Sequence, residues 1–461
     1  MNASFAPFER KMREAALPEV AIASFRAAFE ALVSGATGTL SRREIEPVED
    51  VPDAAGFGAH REAGAAALAR TVVIKLNGGL GTSMGMTRAK SLLAVKDGLT
   101  FLDVIARQIL HLHERHGVTV PLVLMDSFRT QADSLAALAR HGKLSGPLAP
   151  DFLQHKVPRI LAADLTPVRW PAEPEHEWCP PGHGDIYAAL QSSGVLEAML
   201  AAGYRTAFVS NSDNLGATLD LGLLGWFTTS RAPFAMEVKQ RTHADRKGGH
   251  LARSRGGRLT LRETAQCPTD EVADFEDVER WRFFNTNNLW VDLVALQGAL
   301  AAAHGVLPLP LIKNEKPVDP ADPGSPRVIQ LETAMGAAIA LFEGARAVRV
   351  PDERFAPVKT TGDLLRVRSD AYRRDDEERI VPAPGGLGGA IAVTLDAKHF
   401  RTVGDLELRT PHGPPSLLRC RRLTVRGDVR FGKGVVIEGD VTLEAPAGGR
   451  LDVPDGARLS G

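Results

Sequence analysis

The stretch TVVIKLNGGLGTSMG, residues 71–85, joins an apolar run to a turn that contains four glycines. The run Thr71–Leu76 is rich in β-branched residues and contains no breaker, which predicts a buried strand. Glycine lacks the Cβ atom that would hold a ligand away from the backbone. The stretch therefore predicts a strand whose carboxyl end opens into a ligand-binding loop of an α/β fold.

The residues that follow continue the same pattern of strand and helix. The runs VTVPLVLMD (118–126) and YRTAFVSNSDN (204–214) predict strands, and SLLAV (91–95) a short one. Helical spacing of apolar residues predicts helices over 101–117, 134–142 and 186–203. This alternation predicts an α/β class with a mostly parallel, Rossmann-like sheet.

The two ends of the chain differ from this central region. Residues 6–34 show helical spacing, and Pro18 predicts a break between two helices. Glycine-punctuated Val and Leu runs near the C-terminus suit the stacked strands of a β-helix, with a small sandwich left open. We therefore predict an N-terminal helical segment over 1–60, an α/β domain over 61–366 and a β-helix-like domain over 367–461.

Composition limits the possible partners and the cellular location. The chain has 461 residues, of which 44% are hydrophobic, and its net charge of −1 argues against a nucleic-acid partner. Three widely separated cysteines form neither a metal-binding spacing nor a disulfide framework. No run approaches the about 18 apolar residues of a membrane span. We expect a soluble, cytoplasmic protein without a membrane partner.

Three kinds of nucleotide site compete for the glycine-rich turn. A dinucleotide loop needs G-x-G-x-x-G, but Gly85 comes one residue too late after Gly79 and Gly81. A P-loop needs glycine before its lysine, whereas Ala89 precedes Lys90. In a nucleotidyltransferase loop, backbone amides would hold a nucleoside triphosphate and Lys90 would reach its phosphates. The remaining alternative is a glycine-rich turn without a ligand.

Six motifs, in order, resemble those of the UTP–glucose-1-phosphate uridylyltransferase family, also called UDP-glucose pyrophosphorylases. They are LNGGLGTSMGMTRAKS (76–91), PPGHGDIY (180–187), FVSNSDNLGATLD (208–220), NTNNLWVDL (285–293), QLETAMGAAI (330–339) and RFAPVKTTGDLL (354–365). One departure is Arg88-Ala89, where the family often has Gly-Pro. UDP-N-acetylhexosamine pyrophosphorylases share the general pattern, but the glycine motif is closer to the glucose branch. The resemblance makes residues 61–366 the nucleotidyltransferase catalytic domain.

The resemblance also implies a role for each candidate site residue. Lys90 and Lys359 would be catalytic, and Asp213 would bind Mg²⁺, the expected cofactor. The implied nucleotide-binding residues are Leu76, Asn77, Gly78, Gly79, Gln154 and Gly182. The implied sugar-phosphate-binding residues are His183, Asn211, Ser212, Asp213, Gly249, Glu263 and Asn287.

Several of these residues also have a purely structural explanation. His183 could pack on Tyr187 in a turn, and Asp213 could cap a helix or turn before Leu215. Lys359 could be a solubilising lysine at a strand edge, and asparagine-rich turns such as the one around Asn287 are common.

The implied reaction is UTP plus glucose 1-phosphate giving UDP-glucose and pyrophosphate. Because the sugar phosphate is already ionised, it needs no general base, and catalysis reduces to positioning and charge neutralisation. The alternatives are a pyrophosphorylase for another UDP-sugar or UDP-N-acetylhexosamine, a UDP-sugar sensor without turnover, and an NAD-dependent dehydrogenase.

Assembly is the last expectation from the sequence. Family members can associate through the C-terminal domain, and related sequences often carry one further apolar strand beyond the end of this one. The tail is rich in arginine and aspartate, and such charged residues disfavour the pairing of an exposed strand edge with another chain. We therefore expect a monomer or weak dimer.

Overall fold

The computed structural model describes residues 4–142, 144–320 and 322–461, and these fold into two compact units. Unit 1 comprises the described residues up to Leu76, with Pro147–Val209 and Asp220–Val350. Unit 2 comprises the described residues of Asn77–Gly146, Ser210–Leu219 and Pro351–Gly461. Each unit is therefore built from separate stretches of chain. The division into three domains stays a prediction.

The α-helices of the described residues are numbered in chain order. They are α1 (Ala6–Glu14), α2 (Glu19–Val33), α3 (Arg61–Ala67), α4 (Phe101–His116), α5 (Gln131–Leu138), α6 (Ile186–Ser192), α7 (Val195–Ala201), α8 (Leu221–Ser230), α9 (Val272–Phe275), α10 (Leu293–Ala302), α11 (Thr361–Arg368) and α12 (Val403–Arg409). None of these helices is long and apolar enough to cross a membrane.

The β-strands are numbered in the same way. They are β1 (Ile45–Pro47), β2 (Thr71–Leu76), β3 (Ala94–Lys96), β4 (Leu99–Thr100), β5 (Leu122–Asp126), β6 (Asp151–Leu153), β7 (Val157–Pro158), β8 (Ile160–Leu161), β9 (Trp178–Cys179), β10 (Thr206–Asn211), β11 (Phe234–Gln240), β12 (His250–Ser254), β13 (Leu259–Arg262), β14 (Phe283–Asp292), β15 (Ile312–Pro317), β16 (Arg327–Glu332), β17 (Arg346–Arg349), β18 (Tyr372–Arg374), β19 (Ile380–Pro382), β20 (Ala392–Thr394), β21 (Ser416–Arg426), β22 (Asp428–Phe431), β23 (Val436–Glu444), β24 (Arg450–Val453) and β25 (Arg458–Ser460).

Most elements predicted from the sequence are present. The two N-terminal helices flank Pro18, β2 precedes the glycine-rich turn, and α4 follows a short strand as predicted. The single helix predicted over 186–203 is wrong, because the chain breaks between α6 and α7. Gly194, at the break, has a φ of 74°, a left-handed conformation that no α-helix continues.

The central sheet of unit 1 is mixed, and it confirms the α/β class. Its strands follow the order β1-β12-β14-β10-β2, with β13 beside β12 and β11 between β14 and β17. The pair β11–β17 is parallel, but β14 is antiparallel to β10, β11 and β12. β14 therefore adds an antiparallel strand that the expectation of a mostly parallel sheet did not include.

Unit 2 has one large apolar core to which both its early and its late residues contribute. Phe101 and Val104 of α4 share this core with Leu364 of α11 and with Leu417 and Phe431 of the C-terminal strands. These C-terminal strands form a parallel sheet, β20-β21-β23-β25, and a separate parallel pair, β22–β24. The C-terminal segment is thus part of the hydrophobic core of unit 2.

Candidate active site

In unit 2, the glycine-rich turn folds around the aliphatic part of Lys90. The Lys90 amide donates to the Gly79 carbonyl at 2.9 Å, which closes the turn. A Cβ atom on Gly81 would lie 3.2 Å from Cγ of Lys90. Gly81 and Gly85 also have φ values of 62° and 76°, which side-chain-bearing residues rarely adopt. Gly81 is thus required to bring the backbone onto this lysine.

A buried polar network holds the beginning of the same turn. The Asn77 side chain donates to Asp126 Oδ1 and to Ser134 Oγ, each at 2.7 Å. Ser127 Oγ donates to the Gly78 carbonyl at 3.0 Å, and Thr130 Oγ1 donates to Asp126 Oδ1 at 2.9 Å. The first residues of the turn, Asn77 and Gly78, are therefore fixed by side chains at and beyond the end of β5.

The ammonium of Lys90 is paired with the predicted metal ligand. Lys90 Nζ lies 2.6 Å from Asp213 Oδ2, and both side chains are only partly exposed. The residue that precedes Lys359, Val358, donates its amide to the Asp213 carbonyl at 3.2 Å. Unit 2 therefore brings Lys90 and Asp213 into contact and places the backbone at Lys359 beside them.

The residues around Asp213 form a turn. Its hydrogen bonds test the alternative that Asp213 caps a helix or a turn. Asn214, rather than Asp213, caps this turn, because its Oδ1 accepts from the Gly216 and Ala356 amides at 3.1 and 2.9 Å. No helix begins there, since α8 starts only at Leu221. Asn211 and the buried Ser212 precede Asp213 at the end of β10. The carboxylate of Asp213 is thus not used as a helix cap.

Lys359 lies in the loop before α11, not at a strand edge. Its amide donates to Asp363 Oδ2 at 3.0 Å, which continues the capping of α11 that Thr360 begins. The side chain is exposed, and its ammonium has no ion-pair partner among the residues that the structure describes. The backbone is therefore fixed while the cation can still move toward an anion.

The donor set fits a magnesium ion only if the substrate supplies further ligands. The described residues contain no group of three or more His, Cys, Asp or Glu side chains placed to hold a metal. Asp213 provides a single carboxylate, which lies against Lys90. Mg²⁺ is commonly bound by one or two carboxylates together with substrate phosphates and water. Asp213 therefore fits a cation that arrives with a triphosphate.

In unit 1, the turn 180–185 is pinned to the backbone of Thr333. The Thr333 amide donates to the Pro181 carbonyl, and the Gly184 amide donates to the Thr333 carbonyl, both at 2.9 Å. Gly182 has a φ of 82°, and a Cβ atom there would lie 2.4 Å from the Thr333 carbonyl oxygen. Only glycine fits at this position, which leaves its backbone uncovered by any side chain of its own.

His183 has a defined tautomer. Its Nδ1 accepts a hydrogen bond from the Met335 amide at 3.0 Å, so in the neutral ring the proton lies on Nε2. Burial lowers the pKa of His183 to about 4. Tyr187 also contacts Met335, because its hydroxyl donates to the Met335 carbonyl at 2.7 Å. The imidazole is thus neutral, with an Nε2–H that can donate to a ligand.

Gln154 is placed by its neighbour in the sequence. Asp185 accepts from the His155 amide at 2.7 Å and lies 2.8 Å from His155 Nδ1. His155 Nε2 lies 2.9 Å from Ser192 Oγ. Because Gln154 directly precedes His155, these bonds tie Gln154 to the turn that carries Gly182.

Asn287 lies on a bulge inside β14, not in a turn after a strand as the sequence suggested. The pairing of β14 with β11 skips two residues, Thr286 and Asn287, between Glu237 and Val238. Asn287 has a φ of 59°, and its amide donates to Asn285 Oδ1 at 2.9 Å. Bulges beside active sites commonly redirect a side chain in this way.

Buried Glu237 holds this bulge from the neighbouring strand. Its carboxylate accepts from the Asn288 amide group at 3.0 Å and from the Trp290 indole at 2.9 Å. Its backbone carbonyl accepts from Thr286 Oγ1 at 2.7 Å. A buried carboxylate with this many donors fixes the local backbone, and with it the position of Asn287.

Gly249 and Glu263 are in close contact. A Cβ atom on Gly249 would lie 2.5 Å from the Glu263 carboxylate, and the Gly249 carbonyl accepts from the Asn285 amide at 3.0 Å. Gly336, which follows Met335, would place a Cβ atom 3.2 Å from Asn285 Nδ2. Unit 1 therefore links His183, through residues 335–336, to the group formed by Asn287, Gly249 and Glu263.

A cavity of about 690 Å³ in unit 1 lies beside the turn 180–185, because His155, Tyr187 and Thr333 also line it. Most of its lining is apolar, and α2 and the segment 306–311 contribute to it. None of the site residues predicted from the sequence lines it, although Gly184 and Asp185 do. We therefore do not assign the substrates to this cavity.

The predicted residues fall into two groups, one in each unit. Unit 2 holds Asn77, Gly78, Gly79, Lys90, Asn211, Ser212, Asp213 and Lys359, and unit 1 holds Leu76, Gln154, Gly182, His183, Gly249, Glu263 and Asn287. Sequence reasoning missed the supporting residues Asp126, Asp185 and Glu237. A signal existed for Asp126, which ends a predicted strand as the segment around Asp213 does. Asp185 and Glu237 contact residues that are distant in the sequence, so no local pattern indicated their roles.

Known proteins resemble this chain over nearly its whole length. The profile of the UTP–glucose-1-phosphate uridylyltransferase family matches residues 22–438. The Solanum tuberosum UTP–glucose-1-phosphate uridylyltransferase is 41% identical over 394 residues, which cover 85% of this chain and 80% of that protein. The Saccharomyces cerevisiae enzyme of the same name is 39% identical over 396 residues, covering 85% and 77%.

Solved structures similar to this chain carry names of the same family. A Leishmania major UDP-glucose pyrophosphorylase variant in complex with UDP-glucose has a TM-score of 0.93 at 43% identity, covering 100% of this chain and 98% of that one. The Trypanosoma brucei protein has a TM-score of 0.90 at 41% identity, covering 99% and 98%. With the glycine-rich turn, its lysine and the family motifs in place, this chain belongs to the UTP–glucose-1-phosphate uridylyltransferase family.

Proposed function

We propose that the protein transfers a uridylyl group from UTP to glucose 1-phosphate. A phosphate oxygen of glucose 1-phosphate forms a bond to the α-phosphorus of UTP, and the bond from that phosphorus to the bridging oxygen of the β-phosphate breaks. Pyrophosphate leaves with the electron pair, and UDP-glucose is the other product. The contact of Lys90 with Asp213 beside a glycine-rich turn is the observation that carries the proposal, together with family membership.

The residues of unit 2 act on the phosphates. Backbone amides of the turn around Gly78 and Gly79 hold the triphosphate, since no Cβ atom blocks their approach. Lys90 neutralises phosphate charge, and exposed Lys359 moves onto the charge that develops at the α-phosphate. Two anions are thereby brought together by positioning and by positive charge, without a general base.

The residues of unit 1 recognise the base and the sugar. The backbone of Gly182 and the side chain of Gln154 read the uracil edge, while Leu76 contacts the nucleotide. His183 donates through Nε2–H to the nucleotide or sugar phosphate, a role supported by its neutral tautomer. Asn287, Glu263 and Gly249 bind the sugar hydroxyls with amide, carboxylate and backbone groups. Asn211 and Ser212 of unit 2 contact the sugar phosphate.

Mg²⁺ is the proposed cofactor, held by Asp213 together with substrate phosphates. When bound, it would neutralise charge on the phosphoryl oxygens during transfer. The position of Asp213 at the end of β10, in contact with Lys90, supports this role. Release of Lys90 from Asp213 would then free its ammonium for phosphate.

We also infer that the C-terminal segment is a short β-helix. Its strands alternate between the two parallel sheets, with β21, β23 and β25 in one and β22 and β24 in the other. Such alternation is typical of a coil that winds through successive strands. A cytoplasmic location and a monomeric or weakly dimeric state stay predictions.

The decisive experiment is pyrophosphate release by the purified protein. It should be measured with each nucleoside triphosphate against a panel of sugar 1-phosphates, with Mg²⁺ present and after its removal by chelation. We expect UTP with glucose 1-phosphate to give the highest kcat/KM. Faster turnover of an N-acetylhexosamine 1-phosphate, or none with any pair, would refute the assignment.

A further inference from the structure

Arg241 is a buried arginine that binds backbone carbonyls, not a carboxylate. It follows β11 directly, and only 3% of its surface is exposed. Its guanidinium donates to the carbonyls of Phe275 at 2.8 Å, Gly248 at 3.1 Å and Arg246. Among the described residues it makes no ion pair. Backbone carbonyls accept from its donors, and the nearby carboxylates of Asp245, Glu276 and Asp277 favour its charge.

The carbonyls that Arg241 binds belong mostly to one loop, Thr242–Gly249. At the start of the loop, Thr242 and Asp245 form a capping box. Further along, Thr264 Oγ1 donates to the Lys247 carbonyl. Burying a cation is unfavourable unless its donors are satisfied, so Arg241 and the loop carbonyls stabilise each other in one arrangement.

This loop ends on the proposed sugar-binding group. A Cβ atom on Gly248 would lie 2.1 Å from the Phe284 ring, and one on Gly249 would lie 2.5 Å from the Glu263 carboxylate. The backbone at 248–249 therefore packs directly against these side chains, which leave no room for a Cβ atom at either position. A shift of the loop would displace Gly249 from Glu263 and from Asn285.

We propose that Arg241 is a positioning residue that fixes the Thr242–Gly249 loop and thereby sets the affinity for the sugar phosphate. The inference rests on the proposed function, because it assigns Gly249 and Glu263 to the sugar. An arginine suits this role because its planar guanidinium has five donors in a fixed geometry, whereas a lysine ammonium has three on a flexible stem. Lysine would keep the charge and lose the simultaneous contacts.

The test compares Arg241→Lys with Arg253→Lys. Arg253 is exposed on β12 and also donates to one loop carbonyl, that of Gly257, so it controls for the substitution itself. For Arg241→Lys we expect the KM for glucose 1-phosphate to rise about tenfold, in line with the effect of small misplacements on bound substrates. The KM for UTP at saturating glucose 1-phosphate should stay within about twofold, and Arg253→Lys should match wild type.

Hydrogen exchange of the substrate-free protein separates this inference from the proposed function. Amides of residues 242–249 should exchange faster in Arg241→Lys than in wild type, whatever reaction the protein catalyses. Unchanged exchange there, or an equal rise of both KM values, would overturn the inference. If Arg241→Lys does not fold, Thr264→Val removes the exposed hydroxyl that holds Lys247 and should give the same two changes. Absence of turnover in wild type would instead count against the proposed function.

Discussion

At the scale of single residues, Lys90 and Lys359 have different surroundings despite their equal charge. Lys90 is mostly buried and paired with Asp213, so its charge is balanced before any ligand binds. Lys359 is exposed, and its ammonium has no ion-pair partner within the described part of the chain. We infer that Lys90 serves binding and that Lys359 serves the transition state.

Lys359→Ala should lower kcat about 10²–10³-fold, the typical effect of removing one group that stabilises transition-state charge. The KM for UTP should change much less, because Lys90 and the glycine-rich turn remain. Lys398→Ala, at another exposed lysine of unit 2, is the matched control. A Lys359→Ala variant with nearly wild-type kcat would show that the lysine is not catalytic.

Asp213→Asn should raise the Mg²⁺ concentration needed for half-maximal activity, because it removes the only charged protein ligand proposed for the cation. Thermal unfolding without substrates should remain cooperative, since the side chain is partly exposed and helps form no helix cap. Asp376→Asn, at an exposed aspartate of unit 2, controls for loss of charge. An unchanged Mg²⁺ titration would exclude the role.

The lowered pKa of His183 predicts that the stability of the folded protein depends on pH. Burial lowers its pKa to about 4 from the ordinary 6.5, so the folded protein binds fewer protons at this site than the unfolded chain does. The stabilisation is complete above pH 6.5 and is lost as the pH falls toward 4. Urea unfolding at several pH values should show the wild type losing more stability on acidification than His183→Asn. A constant difference between the two proteins would contradict the assignment.

At the scale of elements, the glycines of the turn serve two purposes. Gly85 has a φ of 76°, and a Cβ atom there would lie 2.7 Å from Cγ2 of Thr402, so the fold itself requires glycine. A Cβ atom on Gly79 would meet nothing within 4 Å, and its φ is not left-handed. The fold does not explain Gly79, which points to a ligand.

Gly79→Ala and Gly85→Ala should therefore fail in different ways. For Gly79→Ala we expect stability equal to wild type or higher by up to about 1 kcal/mol, because alanine restricts the unfolded chain. Its KM for UTP should rise about tenfold or more, since the methyl group obstructs the phosphates. Gly85→Ala should lose about 1–2 kcal/mol from left-handed strain alone. Denaturant unfolding measures the stability of each variant, and kinetics with UTP measure its KM. A wild-type KM for UTP in Gly79→Ala would refute the ligand role.

At the scale of the whole molecule, the C-terminal segment is integral to unit 2. Leu417, Leu423 and Phe431 lie in the same core as Phe101 of α4. Removing the residues after Thr394 would therefore expose this core, and loss of activity in such a truncation would reflect misfolding. Assembly has to be tested on the full chain.

We expect the full-length protein to be a monomer or weak dimer whose catalysis needs no further assembly. Exposed arginines on β21, such as Arg421 and Arg426, pair with acidic residues of β23 in the same chain, so these charges are balanced without a partner. Light scattering after size-exclusion chromatography should give the mass of one or two chains. Specific activity should not change on dilution, and a stable higher oligomer that loses activity when diluted would disprove this prediction.

Local sequence was sufficient to predict much of this molecule. The apolar run before LNGGLGTSMG predicted β2 and its loop, Pro18 predicted the break between α1 and α2, and the motifs predicted the family. Lys90 and Asp213 were predicted as site residues because Lys90 follows the glycine-rich turn and Asp213 lies two residues beyond the end of β10, where neighbours in the chain determine the local backbone. The assigned roles of the site residues stay predictions.

Only the tertiary structure shows the contacts between residues distant in the chain. The 2.6 Å pair of Lys90 with Asp213, the bulge at Asn287 held by Glu237, and the bond from Arg241 to the Phe275 carbonyl join residues with no common local pattern. The break at Gly194 and the antiparallel β14 belong with them, because packing and strand pairing decide between conformations that local spacing permits equally. Sequence thus determined which groups the protein has, and the fold determined which of them meet.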